Sequence, residues 1–256
     1  MVALTTARTP ESEARRASLL ASLERDEVIR LADVARDLGM SQMTIRRDLK
    51  ELEEEGRLRR IRGGAMTVIG PQPFAARRAV RMRAKEAIAD KALALVPRHG
   101  AIAMDASSTV GTLAMKLGPS SGLTVVTNSY PTYLSLRTTP GVRPILVGGE
   151  TEQITESFVG PIAVRAVESL RYHRFFASSS ALHAQLGGSE VSLQEAEVKR
   201  AFQHLSRELV LCVDSSKLGQ QGLAAGFSLE SVSVLITELD PDDTRLDPFR
   251  DRVEIR

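Results

Sequence analysis

The stretch Met40–Gly64, MSQMTIRRDLKELEEEGRLRRIRGG, decides how this chain is read. Ile45, Leu49 and Leu52 recur at i, i+4 and i+7, the spacing of one apolar stripe on a helix. At 100° per residue Met43, Thr44, Arg46, Arg47 and Lys50 project away from that stripe, and three of these five are cationic. Such a face suits a phosphate-lined groove. Ser41 is the expected N-cap, its hydroxyl accepting from a free amide of the first turn.

Upstream, Leu31, Val34, Ala35 and Leu38 keep helical spacing, and Gly39 supplies the left-handed residue that ends such a helix. Helix, short glycine turn, helix is helix-turn-helix spacing. A third amphipathic stretch around Leu19, Leu20 and Leu23 closes a small core. Downstream, Arg57, Arg59, Arg60 and Arg62 alternate with Leu58 and Ile61 and end at Gly63 and Gly64, the pattern of a basic hairpin, the wing of a winged helix. A solvated surface also produces an ArgArg helix, and Glu51, Glu53, Glu54 and Glu55 would repel DNA if they faced it. The acidic run falls at the far end of the helix, and the elements occur in the order a DNA reader needs. The DNA-contacting set is therefore Ser41, Gln42, Thr44, Arg46, Arg47, Lys50, Arg59, Arg60 and Arg62.

At 256 residues the chain holds a second domain beyond one of roughly 65 residues. Net charge is +2, so the clustered arginines imply a local basic surface rather than general polyanion binding. The single cysteine, Cys212, lies in the apolar run LVLCV and reads as a buried strand residue with no internal disulfide. No run approaches the ~18 apolar residues of a membrane helix, and no signal-peptide pattern opens the chain. A cytoplasmic protein is expected, without contact to membrane. Residues 1–10 read as a disordered tail, 11–66 as the winged helix-turn-helix, 67–84 as a linker whose arginines 77, 78, 81 and 83 track the DNA backbone or are simply solvated, and 85–256 as a sensing domain.

Beyond Lys85, helical patterns (KEAIADKALALV, VGTLAMKL, QEAEVKRAF) alternate with short apolar strands (AIAMD, LTVVTN, ILVGG, HRFFASSS, LVLCVD), which implies an α/β domain with a mainly parallel sheet. Asp105, Asn128, Gly148–Gly149, Ser178–Ser180 and Asp214–Lys217 each fall at the C-terminal end of such a strand, where open α/β sheets bind ligands. In AMDASSTVGTLAMKL, residues 106–109 lead from strand into helix with free amides, hydroxyls and the positive end of the helix dipole, which suits an anion and equally suits a capping turn. Lys199 and Lys217 each offer a cation or are solvated. His99, His173, His183 and His204 show no metal-ligand spacing, and there is no Walker or GxGxxG loop, so neither metal nor cofactor is implied.

TIRRDL, LEEEG and the terminal GGA, with DASST, VVTNS, VGGE, SFVGP, EAEVKRAF, VDSSKLG and LITE following in order, resemble the DeoR family of bacterial transcription regulators from about Glu13 to Thr237. The resemblance implies a repressor, less often an activator, of sugar-utilisation genes that responds to a phosphorylated sugar, binds duplex operator DNA as a homodimer or higher homo-oligomer, and is not an enzyme. It implies a sensor similar in fold to ribose-5-phosphate isomerase. Carried over, Asp105, Ser107, Ser108 and Thr109 lie at the sugar or phosphate, with Asn128, Gly149, Glu195, Lys199 and Lys217 beside them. Ser107 stands where the family usually has Gly, and a Gly and an acidic residue near Ser178, Ala181 and His183 are replaced. Backbone strain of about 1 kcal/mol is expected at Ser107 if that position needs positive φ. The alternatives are a sugar-phosphate isomerase using Glu195, Asp214 or Lys217, and a DNA-binding regulator that has lost sugar sensing.

Overall fold

The structure, a computed structural model, describes residues 10–26, 28–54, 57–66 and 73–256, and divides into a unit ending at Gln72 and a unit beginning at Pro73. Residues 1–9 of the expected tail, Glu55 of the acidic run and residues 67–72 of the expected linker lie outside the described residues.

In the first unit, α1 (Pro10–Asp26), α2 (Leu31–Asp37) and α3 (Gln42–Glu54) enclose one core. Leu19 and Leu23 meet Val34, Ala35, Ile45, Leu49 and Leu52 there, as the periodicity requires. Gly39 has a φ of +62° and ends α2, its amide reaching Arg36 O at 3.1 Å. The wing is β2 (Arg59–Ile61) against β3 (Gly64–Met66), and the sequence pattern missed a third strand, β1 (Val28–Arg30), which pairs with β3. A Cβ on Gly64 would lie 1.9 Å from Ile29 O, so β1 can approach the wing only because that residue is glycine.

One charged residue holds the reading helix in place. Asp48 on α3 is buried, and its carboxylate accepts from Arg15 Nε at 2.5 Å and Arg16 Nε at 3.4 Å on α1. Arg16 also pairs with Glu51. The α1–α3 contact is thus both apolar and ionic.

In the second unit a seven-stranded parallel sheet carries the fold, in the order β15 (Glu254–Ile255), β14 (Val234–Ile236), β12 (Ser206–Cys212), β9 (Tyr172–Ala177), β4 (Gly100–Met104), β5 (Leu123–Thr127), β6 (Val142–Leu146). Strand residues alternate between two cores. Ile102, Met104, Val125, Phe176, Val210 and Cys212 face α5 (Met82–Leu93) and α6 (Ser108–Met115). Ala103, Val126, Phe175, Leu209 and Leu211 face α8 (Gly160–Glu168) and α9 (Leu193–His204). A sheet covered on both faces is the arrangement parallel strands need. A hairpin of β7 (Glu150–Glu152) and β8 (Ser157–Val159), the helix α7 (Tyr130–Leu136), and a small antiparallel sheet of β10 (Ala181–His183), β11 (Gly187–Glu190) and β13 (Ala224–Phe227) complete the unit.

The linker expectation is corrected from Pro73 onward. Residues 74–79 form α4 and α5 starts at Met82, because Phe74 is buried against Gly111, where an added Cβ would come within 2.6 Å of its ring. The chain leaves β4 toward β5 and later returns to β9 on the other side of β4. That reversal opens a crevice at the C-terminal ends of β4 and β9.

Candidate functional site

On α3, Ser41 caps the helix as expected: its Oγ accepts from Thr44 N at 3.1 Å and lies 2.8 Å from Thr44 Oγ1. Gln42, Met43, Arg46, Arg47 and Lys50 are exposed while Ile45, Asp48, Leu49 and Leu52 are buried, so the outward face is the cationic one. Arg47 and Lys50 reach back to Glu51 (3.3 Å) and Glu54 (3.6 Å) one turn on, pairs of small worth that a phosphate can displace. Arg46, Arg59 and Arg62 make no ion pair among the described residues, although the Arg59 charge helps hold Glu53 low. Arg60 differs. Its Nε lies 2.6 Å from Glu53 Oε2 and its amide donates to Glu53 Oε1 at 2.8 Å, so it pins the wing to α3, and the hydrogen bonds from Arg60 hold the Glu53 carboxyl below its usual range.

In the second unit Asp105 follows β4 and is fully buried at the crevice. Its Oδ1 accepts from Ser107 N (3.0 Å) and Ser107 Oγ (2.5 Å); its Oδ2 accepts from Ser178 N (2.8 Å) and lies 3.0 Å from Lys199 Nζ. Lys199 also donates to Ser178 O at 2.8 Å and Glu190 Oε1 at 2.6 Å. Two hydrogen bonds and the ion pair with Asp105 tie the buried ammonium to protein, so this lysine is a strut between α9, β9 and β4. Burial disfavours its charge, yet the carboxylates of Asp105, Glu190 and Glu195 hold its pKa above the ordinary value. Glu190, which sequence reasoning missed because no motif marks it, is pushed upward by burial against the opposing pull of Lys199 and the Ser180 hydroxyl.

The serine loop resolves into two roles. Ser107 is the N-cap of α6, its Oγ accepting from Val110 N at 3.1 Å. Its φ is −78°, extended backbone open to any residue, so the strain expected from replacing the family's glycine is absent. The capping reading holds for Ser107 alone. Ser108 and Thr109 occupy the next two positions, whose amides have no intrahelical acceptor, and their hydroxyls make no hydrogen bond among the described residues.

Asn128 ends β5, buried, and its Nδ2 donates to Phe158 O at 3.2 Å, while its Oδ1 has no partner among the described residues. Glu195 Oε1 accepts from Ser157 Oγ at 2.9 Å, beside that same strand β8. Gly149 has a φ of +121° and a Cβ there would meet Val159 O at 2.7 Å, so the turn at the end of β6 requires glycine. Lys217 lies in the short turn Ser215–Lys217 after β12, and its ammonium has no hydrogen bond or ion pair among the described residues. Its charge, the Ser216 hydroxyl, Arg81 and Lys85 together outweigh burial and hold Asp214 below the usual carboxylate range.

Of the arginines assigned to a linker, Arg77 and Arg81 are instead committed to the strand ends, while Arg78 and Arg83 are exposed. Arg77 donates to Ala106 O and Thr155 O, both at 3.1 Å. Arg81 donates to Ser215 Oγ (2.8 Å) and Glu238 Oε1 (2.6 Å) and lies 2.9 Å from Asp214 Oδ1. Lys85 is buried under the carbonyls of Arg77 and Val80. Side chains that satisfy backbone carbonyls and aspartates cannot also track a DNA backbone.

A winged helix with a cationic reading face, followed in the same chain by an α/β unit with a polar crevice at its strand reversal, defines a DNA-binding regulator with a ligand-sensing domain. Residues 15–68 match the DeoR-like helix-turn-helix domain and residues 80–239 the DeoR C terminal sensor domain. The chain belongs to the DeoR family of transcriptional regulators, and it is a regulator, not an enzyme. It is 30% identical over 227 residues to the HTH-type transcriptional regulator GolR of Listeria innocua, covering 88% of this chain and 89% of that protein. It is 33% identical over 224 residues to the lactose phosphotransferase system repressor of Streptococcus mutans, covering 84% and 87%. Among solved structures, ribose 5 phosphate isomerase A from Neisseria gonorrhoeae aligns with a TM-score of 0.37 and 16% identity over 52% of each chain. No helix among the described residues is long and apolar enough to cross a membrane.

Proposed function

We propose that this regulator acts in the cytoplasm as a homodimer or higher homo-oligomer that represses carbohydrate-utilisation genes and is released from its operator by a phosphorylated sugar. The observation that carries the sugar-phosphate reading is the start of α6. The unbonded amides of Ser108 and Thr109 and their free hydroxyls follow β4 at the strand reversal, and the orphaned acceptor of Asn128 follows the neighbouring strand β5. Amides at a helix start favour an anion, and a buried acceptor without a donor favours a ligand hydroxyl. Lys217, whose ammonium acts on Asp214 but makes no hydrogen bond or ion pair among the described residues, is the cation available to the phosphate, whereas Asp105 and Lys199 shape the crevice. Gly149 and Glu195 border the sugar end, and Ser107 holds the loop.

Two copies would place Gln42, Thr44, Arg46, Arg47 and Lys50 in successive major grooves, with Arg59 and Arg62 of each wing on flanking phosphates. A sugar phosphate that prefers one arrangement of the sensors shifts the DNA-binding population by its differential affinity, and a coupling of about 1–3 kcal/mol suffices. The lactose phosphotransferase system repressor among the relatives supports the repression of carbohydrate genes. The test is a thermal-shift series against sugar phosphates, each paired with its unphosphorylated sugar. Effector at ~100 times its dissociation constant stabilises the sensor by roughly 2.7 kcal/mol. A response to the phosphorylated member of one pair is the expected result, and no response across the series would show that this chain regulates without sugar sensing.

A further inference from the structure

We propose that Met43 is a base-reading residue and that it recognises a thymine methyl in the major groove. Among the unit's described residues Val28, Met40, Met43 and Ile61 are its exposed large apolar side chains, and Met43, at 71%, is the most exposed of them. Isolated exposed apolar residues are common on proteins and mean little by themselves. What distinguishes Met43 is its direction. Taking Ile45 as the inward reference at 100° per residue, Met43 stands ~160° away and Arg47 ~200° away, so the two flank the line pointing directly out from the core. The buried set Ile45, Asp48, Leu49 and Leu52 confirms where inward lies. Arg47 is one turn after Met43 on this ridge, and Lys50 continues it.

The position along the helix matters as much as the angle. Met43 is the second residue of α3, and the first turn of a recognition helix is the part that reaches base edges. It is the apolar point of a face whose other members are Gln42, Arg46, Arg47 and Lys50, groups that seek phosphates and polar base edges. Within a major groove the one apolar group a base presents is the C5-methyl of thymine. A flexible thioether side chain fits such a methyl without demanding one fixed geometry. Because Ser41 caps α3 through Thr44 N, the first turn is held in place and Met43 does not have to order the backbone when DNA arrives.

The test selects binding sites for the full-length protein from a random duplex library, then replaces each selected dT in turn by deoxyuridine, which removes only the methyl group. The expected result is a thymine at a fixed place in each half-site whose replacement weakens binding about fourfold, the loss of one buried methyl contact. The Met43→Ala variant should bind the deoxyuridine and dT duplexes equally, and Met43→Gln should select adenine at that place. Exposure of Met43 makes both variants safe for folding. The inference is overturned if no deoxyuridine replacement weakens the wild-type complex, if Met43→Ala loses the same factor as wild type, or if Met43→Gln selects an unchanged site.

Discussion

The ammonium of Lys199 lies 3.0 Å from Oδ2 of Asp105, with both side chains buried, and this pair joins α9 to the loop after β4. Removing one member leaves the other charge buried without its partner. The Lys199→Met variant should therefore lose roughly 3–5 kcal/mol in the sensor unit, as broken buried pairs do. Denaturant unfolding of the full-length protein checks this. Unchanged stability together with a lost sugar-phosphate response would instead make Lys199 a ligand-binding cation.

The same network predicts a pH signature. Burial raises the Glu190 pKa above its ordinary 4.5, so the folded state holds that proton more tightly than the unfolded chain. The associated stability is fully present below pH ~4.5 and is lost as pH rises through the folded value. Asp214 works the other way: held below 3.8, it contributes stability above that pH and loses it as pH falls through its folded value. Urea unfolding of Glu190→Gln should show a smaller loss of stability than wild type as pH rises above 4.5. Asp214→Asn should flatten the decline on the acid side. Slopes identical to wild type would separate these carboxyls from the stability of the unit.

Much of this was legible in one-dimensional pattern. Ile45, Leu49 and Leu52 fix the inward face of α3 through spacing alone, and Asp105, Asn128 and Asp214 mark strand ends because polar residues follow apolar runs. The unread parts depend on residues distant in sequence. β1 has three residues and owes its pairing to the missing side chain of Gly64, which no local pattern announces. Glu190 is meaningful only through Lys199 on the next helix, and Arg77 and Arg81 looked like linker charge because their acceptors, Thr155 and Glu238, are 78 and 157 residues away. The strand reversal itself, from which the crevice follows, is a property of strand order and not of any segment.

Asp48 makes the reading helix depend on α1. Its carboxylate is shared by Arg15 and Arg16, so Asp48→Ala takes from Arg15 its carboxylate partner, leaves Arg16 paired with Glu51, and should destabilise the first unit by roughly 3 kcal/mol. Operator binding would then fail on warming before it fails at low temperature. Circular dichroism melting and DNA binding measured at both temperatures check this, and equal loss at both would place Asp48 in the interface itself.

Arg47 and Arg60 separate contact from scaffold. Arg47→Ala removes an exposed cation whose protein partner is one weak helix pair, so folding should persist while operator affinity falls and the salt slope shrinks by about 1. Arg60→Ala also removes the side-chain half of the Glu53 anchor and keeps the backbone amide half, so the wing should loosen and the melting temperature should drop with the affinity. Fluorescence anisotropy across a salt series, paired with melting curves, distinguishes the two. Equal melting temperatures for both variants would remove the scaffold role from Arg60.

Lys217 gives the sharpest test of where the anion sits. Its ammonium has no hydrogen bond or ion pair among the described residues, and the turn that carries it is held independently, by Asp214 capping Ser216 and by Glu238 accepting from Ser215. Lys217→Gln should therefore leave the sensor folded and operator affinity without effector unchanged, while weakening the sugar-phosphate response at least tenfold, the lower range for a charged hydrogen bond. The unphosphorylated sugar, having no anion to lose, should bind the variant and wild type alike. Thermal shifts and operator release measured on both proteins decide it: an undiminished response in Lys217→Gln would move the phosphate to the amides of Ser108 and Thr109 alone, with no lysine in its shell.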